Sequence, residues 1–276
     1  MTSISLSRLM NMGQSRDGGI GTPTAFAGTD HTDTMAVSEN LSAASKEFLD
    51  LFDYVSLRSM ESVEWARSDG VDAHYGADWA FNLQSDTDPS VKKDHQRAAV
   101  VFREFPKGML DTKLYLEDCS RLLEGLRAQN YCPVLLPFAP EDEHFANELG
   151  LSRMAPQEVH WWNARRIQQI IASSGLLVSV GRLHPMIFAA NVGTPSVQVA
   201  PPVRPGVDPK HLEELRIMGG ELNVPYVASV QEVLDFTASP VLEDTASPVA
   251  ASRERLSNMI EDLHGLFGAG QTFARH

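Results

Sequence analysis

Ser179-Val-Gly-Arg-Leu-His-Pro185, continuing as Met186-Ile-Phe-Ala-Ala190, is the stretch that decides the fold. The apolar run Gly175-Leu-Leu-Val-Ser-Val180 leads into it and reads as a buried strand. Pro185 suits the first position of a helix, where its missing N–H would have no partner. Gly181, Arg182 and His184 therefore fall in the turn between the C-terminal end of a strand and a helix N-terminus. Open α/β sheets place ligands there, and the helix amides attract anions. A guanidinium and an imidazole in that turn point to a phosphorylated or carboxylated substrate with a proton donor beside it. The plainer reading pairs Arg182 with a surface carboxylate and makes His184 a helix cap.

Working outward, strands and helices alternate. Strands are expected at Ala98–Arg103, Cys132–Phe138, 176–180, Ser196–Val199 and Pro225–Ala228. Between them the spacing predicts helices over Asp111–Ala128, Glu141–Leu149, Pro156–Ser173, from Pro185, over Pro209–Met218 and over Ser229–Phe236. The first of these has Tyr115, Cys119, Leu122 and Leu126 on one face. The third would bury Val159, Trp162, Ile167, Ile170 and Ile171. Upstream, a helix over Ser42–Phe52, a strand over Tyr54–Leu57, a helix over Ser59–Arg67 and a strand over Val71–Tyr75 extend the pattern. This alternation implies a Rossmann-like, doubly wound parallel sheet over residues 46–237. Right-handed crossovers then put the strand-to-helix turns on one edge, with Arg103, Pro137–Pro140, Gly181–His184 and Pro201–Arg204 along it. Residues 1–45 read as a loop-rich N-terminal segment, Gly18–Pro23 and Gly28–Asp33 included. Residues 238–276 read as an Ala/Ser/Pro-rich linker followed by a helix over Arg253–Phe267.

Composition narrows the function. The chain has 276 residues and a formal net charge of −13, so sequence-independent nucleic-acid binding is not expected. An anion site must be a local basic patch. The two cysteines, Cys119 and Cys132, lack metal-ligand spacing and allow at most one disulfide, which fits a reducing cytoplasm. His144 and Glu141 lack a third ligand, so no metal is assigned. The sequence contains no apolar segment long enough to cross a bilayer.

Several residues beyond the central turn could bind anions. Arg58 ends the Tyr54–Leu57 strand and repeats the strand-to-helix geometry, though a surface arginine is the simpler reading. Lys210 opens a helix, where a cation opposes the macrodipole and favours a ligand or carboxylate partner. Asp78 follows the 71–75 strand and could orient a base or sit in a turn. His160, Trp161 and Trp162 form an aromatic cluster. A sugar-stacking platform is imaginable there, but the helical spacing assigns Trp162 to the core. For His184, a helix N-terminus disfavours imidazolium and a bound dianion favours it, which suits a general acid armed by its own substrate.

The run Ser179-Val-Gly-Arg-Leu-His-Pro-Met-Ile-Phe-Ala-Ala-Asn-Val-Gly-Thr-Pro-Ser-Val-Gln-Val199 resembles the signature of the polysaccharide pyruvyl transferases, in which R-L-H opens a helix and Gly-x-Pro leads to a strand. Lys210 sits where that family tends to carry a lysine. Tyr54–Ser62 resembles the family's V-x-R-D-x-x-S segment, with Ser59 in place of the usual Asp, and Gly76–Leu83 resembles its D-x-x-F-x-L segment. The resemblance covers residues 54–212. It implies the C-terminal half of a GT-B-type two-domain transferase, with the N-terminal half largely missing. It further implies transfer of the pyruvyl group of phosphoenolpyruvate, as a ketal, to hydroxyls of a saccharide or lipid-linked glycan, in polysaccharide or cell-surface glycan biosynthesis. Phosphoenolpyruvate would be the donor substrate, with no separate cofactor. The enzyme would be cytoplasmic, working at the inner membrane face, alone, as a homo-oligomer or with a partner chain. Under the resemblance, His184 and Arg182 are catalytic, Arg58, Lys210, Arg182 and Gly181 bind substrate, and Asp78 and Ser62 support them. Two other readings remain: a GT-B-type glycosyltransferase using a nucleotide-sugar, and a truncated, non-catalytic binding domain.

Overall fold

The computed structural model describes residues 25–29, 46–83, 92–205, 210–238 and 244–267, with the backbone alone for 25–29, 210, 211, 213 and 214. It divides into two compact units, one of Met1–Asn82 with Ala251–His276 and the other of Leu83–Ala250. Residues 46–237 therefore do not share one sheet, as the sequence alternation suggests.

In the larger unit, β4 (Asp94–Phe102), β5 (Cys132–Leu135), β6 (Ser174–Val180), β7 (Ser196–Val199) and β8 (Tyr226–Val227) form an all-parallel sheet in the order β5-β4-β6-β7-β8. Residues 98–102 of β4 and 176–180 of β6 are buried on both faces, as a sheet covered by helices on both sides requires. Ala98, Val100, Phe102, Leu176, Val178 and Val180 pack with Tyr115, Leu122 and Leu126 of α2 (Thr112–Ala128). Asp111 caps α2 by accepting from the Lys113 and Leu114 amides, each at 3.1 Å. On the other face lie α5 (Ala164–Ser173) and α6 (His184–Val192).

The order of the strands marks out a candidate site. From β4 the chain crosses to β5 on one side. It then returns past β4 to β6 and moves away in the other direction through β7 and β8. The C-terminal ends of β4 and β6 are thus the point at which the winding reverses, where such sheets open a crevice for ligands.

Several expected elements differ. The helix predicted over Pro156–Ser173 begins only at Ala164. Pro156–Glu158 instead runs parallel to the edge strand β5: Leu135 donates its N–H to Pro156 O (2.8 Å), and Glu158 donates to Leu135 O (2.9 Å). Tertiary pairing has overridden an apparent helical spacing, and Trp162 is 64% exposed rather than in the core. Gly150 does not merely close α3 (Pro140–Glu148), because it adopts φ +72° and leads into the short α4 (Leu151–Met154). The Ala/Ser/Pro stretch is also not all linker. The last helix runs from Ala246 to Phe267, with Asp244 accepting from the Ala246 and Ser247 amides. Pro248 is tolerated because first-turn N–H groups have no intrahelical partner.

The smaller unit has its own parallel sheet. β1 (Ala25–Thr29), β2 (Tyr54–Leu57) and β3 (Ala73–Tyr75) lie in the order β1-β2-β3. Ala25–Thr29 is therefore a strand, which overturns the loop reading for Gly28 and Thr29; Gly18–Pro23 lies outside the described residues. Between β2 and β3, α1 (Met60–Ser68) packs Val63 and Ala66 against Val55, Leu57 and Ala73. Residues 251–267 of the last helix belong to this unit. There Arg255 donates to Gly76 O (3.2 Å) and lies 4.5 Å from the Tyr75 ring centroid, and Tyr54 donates to Asp262 (3.2 Å).

Candidate functional site

The turn after β6 is built as the sequence suggests, shifted by one residue. His184 takes the first helical position of α6 and Pro185 the second, with Leu183 as the capping residue and no side chain capping the end. His184 is exposed at this terminus. Gly181 makes the turn with φ +77°, a left-handed conformation that disfavours any residue with a Cβ. A Cβ there would also lie 2.2 Å from Phe105 Cζ.

A polar network fixes the turn. Arg103, just past β4, donates to Gly181 O (3.0 Å), and its guanidinium lies 5.3 Å from the Phe105 ring centroid. Tyr115 donates its hydroxyl to Arg103 O (3.0 Å). Burial pushes that hydroxyl well above its usual pKa, so it remains a donor. Beneath the turn lies the fully buried Gln198 of β7. With its amide oriented to satisfy both ends, it donates to Ser179 and accepts from Gly181 N (2.9 Å).

Arg182 is held by a partner the sequence does not reveal. Its Nε donates to Asp142 Oδ2 (3.1 Å) and its Nη2 to Asp142 Oδ1 (2.6 Å). Asp142 has a fully buried side chain, whereas that of Arg182 keeps 25% of its surface exposed. The same carboxylate accepts from the Glu104 amide (3.1 Å) and the Phe138 amide (3.2 Å). One buried acid thus ties together the ends of β4, β5 and β6. The partner is a buried carboxylate, not the surface one of the plainer reading. The geometry is the bidentate fork that suits Arg far better than Lys. Asp142 balances the charge of Arg182 and occupies its Nε and Nη2 donors.

The other expected residues belong to other elements. Arg58 ends β2 in the smaller unit, where its Nη1 donates to Asp78 Oδ2 (3.0 Å); the side chains are 10% and 5% exposed. Asp78 also accepts from the Ala80 amide (2.8 Å). Asp78 therefore supplies the carboxylate that Ser59, in place of the usual acid, does not. Ser59 caps α1 by accepting from Ser62 N (3.2 Å), and donates to Ser62 Oγ (2.8 Å). Ser62 is buried in this cap. Lys210 is the first described residue of α7 (Lys210–Glu221), and its side chain lies outside the described residues. Among the described residues no three His, Cys, Asp or Glu side chains cluster as a metal site, and no helix is long and apolar enough to cross a membrane.

The model of the polysaccharide pyruvyl transferase family matches residues 37–201, which take in both the Arg58–Asp78 pair and the Gly181–His184 turn. The chain belongs to the polysaccharide pyruvyl transferase family. Among solved structures, UDP-GlcNAc 2-epimerase from Methanocaldococcus jannaschii, in complex with UDP-GlcNAc and UDP, is similar at 10% identity and a TM-score of 0.60, covering 94% of this chain and 72% of that one. UDP-N-acetylglucosamine 2-epimerase from Rickettsia bellii follows at 8% identity and 0.55, covering 88% and 67%. The crystal structure of TarM matches at 11% identity and 0.52, covering 90% of this chain and half of that one. At these identities the likeness establishes the fold alone, an α/β fold of the GT-B type. A comparison with curated proteins finds no match. For this pyruvyl transferase family member, sequence reasoning missed Asp142 and Gln198 as the residues that hold the turn. The acidic start of α3, Glu141-Asp142-Glu143, is the one local signal for Asp142.

Proposed function

We propose that the chain transfers the pyruvyl group of phosphoenolpyruvate to saccharide hydroxyls as a ketal. The observation that carries the reading is the Gly181–His184 turn at the C-terminal ends of β4 and β6, where the sheet reverses its winding. A donor with a phosphate and a carboxylate suits a site made of a helix N-terminus, Arg182 and the neighbouring Arg103. In this reading His184, exposed at the helix start, gives a proton to C3 of the enol. A saccharide hydroxyl then attacks C2 and loses its proton. Phosphate leaves from C2, and a second hydroxyl closes the ketal as its proton passes to the departing phosphate. Two C–O bonds to sugar replace the C–O bond to phosphate and the enol double bond, with no redox change. Arg182 binds donor and, through Asp142, sets the position of the turn. Gly181 lets the backbone approach the anion. Lys210 is an auxiliary anion ligand on α7, while Arg58, supported by Asp78 and Ser62, is the anion-binding candidate of the smaller unit. The reading calls for no metal or separate cofactor, and a cytoplasmic setting at the inner membrane face suits a lipid-linked acceptor.

The test follows phosphoenolpyruvate by 31P NMR in the presence of mixed methyl hexopyranosides. The reading expects inorganic phosphate to appear with wild-type chain and not with His184→Ala of unchanged melting temperature. Wild-type turnover in that variant would remove His184 from the acid role. UDP-GlcNAc consumption without phosphoenolpyruvate consumption would favour the nucleotide-sugar reading, which the GT-B-type fold keeps open. Stabilisation by neither compound would favour a non-catalytic binding domain, since a ligand of the native state must raise its stability.

A further inference from the structure

The segment between α4 and α5 carries His160, Trp161 and Trp162 away from the core. Its start runs parallel to β5, with Gln157 opposite Leu135. Continuing in the strand direction, the three aromatics emerge beyond the C-terminal end of β5, on the edge that holds Gly181–His184. Both ends of the segment are pinned. Arg97 pairs with Glu158 at one end. At the other, Asn163 donates to His160 O (2.7 Å) and accepts from the Arg166 amide (3.0 Å).

Trp161 donates its indole N–H to Glu143 Oε2 (3.1 Å), which fixes the ring. Glu143 adjoins Asp142, the acid that holds Arg182, so one turn of α3 anchors both features. Trp162 packs at right angles to Trp161, with centroids 5.1 Å apart, and lies 6.1 Å from the His160 ring. Yet Trp162 is 64% exposed. A large indole held in a pinned segment but left open to water is unusual for a packing residue.

We propose that the Trp161–Trp162 face is a stacking platform for a pyranose ring of the acceptor saccharide, an inference that rests on the pyruvyl-transfer reading. A pyranose presents C–H groups on one face and hydroxyls around its rim. The Trp162 ring matches the apolar face. The rim meets the second oxygen of Glu143 and the His160 imidazole, which accept and donate hydrogen bonds. An apolar peptide would find no use for this polar border, and the −13 charge of the chain disfavours an anionic polymer. Both features stand on the C-terminal edge of the same sheet, and Glu143 and Asp142 tie them to the same turn of α3.

The test uses the full chain labelled with 15N. Its four tryptophans give four indole signals, assigned with Trp161→Phe and Trp162→Phe. Methyl β-D-galactopyranoside, methyl β-D-glucopyranoside and methyl α-D-mannopyranoside are titrated separately. At least one is expected to shift the Trp161 and Trp162 indoles and leave Trp65 and Trp79 unmoved. Trp162→Ala should weaken that glycoside roughly three- to tenfold, as the loss of one aromatic contact predicts, and Trp162→Phe should retain most of the affinity. Truncating so exposed a ring leaves the fold intact, which an unchanged melting temperature verifies. Phosphoenolpyruvate, titrated alone, should move the Gly181–His184 amides and neither indole. If the glycosides act and phosphoenolpyruvate does nothing, the donor reading fails and the platform stands. If none of the three glycosides moves the indoles, the platform is overturned whether or not phosphoenolpyruvate binds. Self-association that vanishes in Trp162→Ala, without any glycoside effect, also overturns it and assigns the face to a second copy of the chain.

Discussion

Replacing Asp142 with Asn should loosen the candidate site and destabilise the larger unit together. The carboxylate accepts four hydrogen bonds, two from Arg182 and one each from the Glu104 and Phe138 amides, and its side chain is fully buried. Asn keeps the shape but turns one oxygen into an NH2 group that faces donors. Two of the four bonds lose their acceptor, and the largely buried guanidinium loses its counter-charge. Breaking one side of a buried ion pair costs about 3–5 kcal/mol, and the 25% exposure of Arg182 places this case near 3. For a unit of this size each kcal/mol lowers Tm by about 2–4 °C, so a fall of roughly 6–12 °C is expected. Thermal unfolding followed by circular dichroism measures it, with Arg182→Met and the double variant completing a cycle. The double variant should be less destabilised than the sum of the singles by about 1–3 kcal/mol. A Tm for Asp142→Asn within about 2 °C of wild type, or strict additivity, would refute the claim that this acid braces the strand ends.

Two further outcomes follow from the geometry. Gly181→Ala places a Cβ at φ +77° and 2.2 Å from Phe105 Cζ; it should cost about 1–3 kcal/mol, and the added Phe105→Ala should recover only the steric part, as urea titration will show. Tyr54 has its pKa raised to about 12, by burial first and by the charge of Asp262 second. The protonated form is thus favoured in the folded chain, its contribution is whole below pH 10, and it is lost as the pH rises from 10 to 12. Unfolding experiments across that window should show wild type losing stability more steeply than Tyr54→Phe; parallel curves would contradict the assignment.

What could be read from the sequence were the features encoded by neighbours in the chain. Tyr54–Leu57 is a strand with the bounds that its apolar run predicts, and Asp111 caps a helix over the stretch that Tyr115, Cys119, Leu122 and Leu126 mark. The turn at Gly181–His184 was legible because a buried strand, a glycine and a proline bracket it. Asp142 was not, since its value lies in four donors that only the fold brings together. Trp162 reads as a core residue because Val159, Trp162 and Ile167 imitate a helical face, whereas pairing with β5 keeps that stretch out of a helix. Ala25–Thr29 carries no strong strand signal and exists as a strand by virtue of its pairing with β2. The division into two units is hidden in the sequence for a related reason. The alternation of strands and helices runs on unchanged through both sheets, and only the pairing partners of β2 and β3 show that they belong to another.

In the proposed function phosphoenolpyruvate binds at the Gly181–His184 turn. Isothermal titration of phosphoenolpyruvate into wild type, His184→Ala and Trp162→Ala tests it most directly. One site is expected on wild type, with binding weakened about tenfold or more in His184→Ala, as the loss of a charge-assisted contact implies, and wild-type affinity in Trp162→Ala. Equal affinity in wild type and His184→Ala, or no heat of binding in wild type, would contradict it.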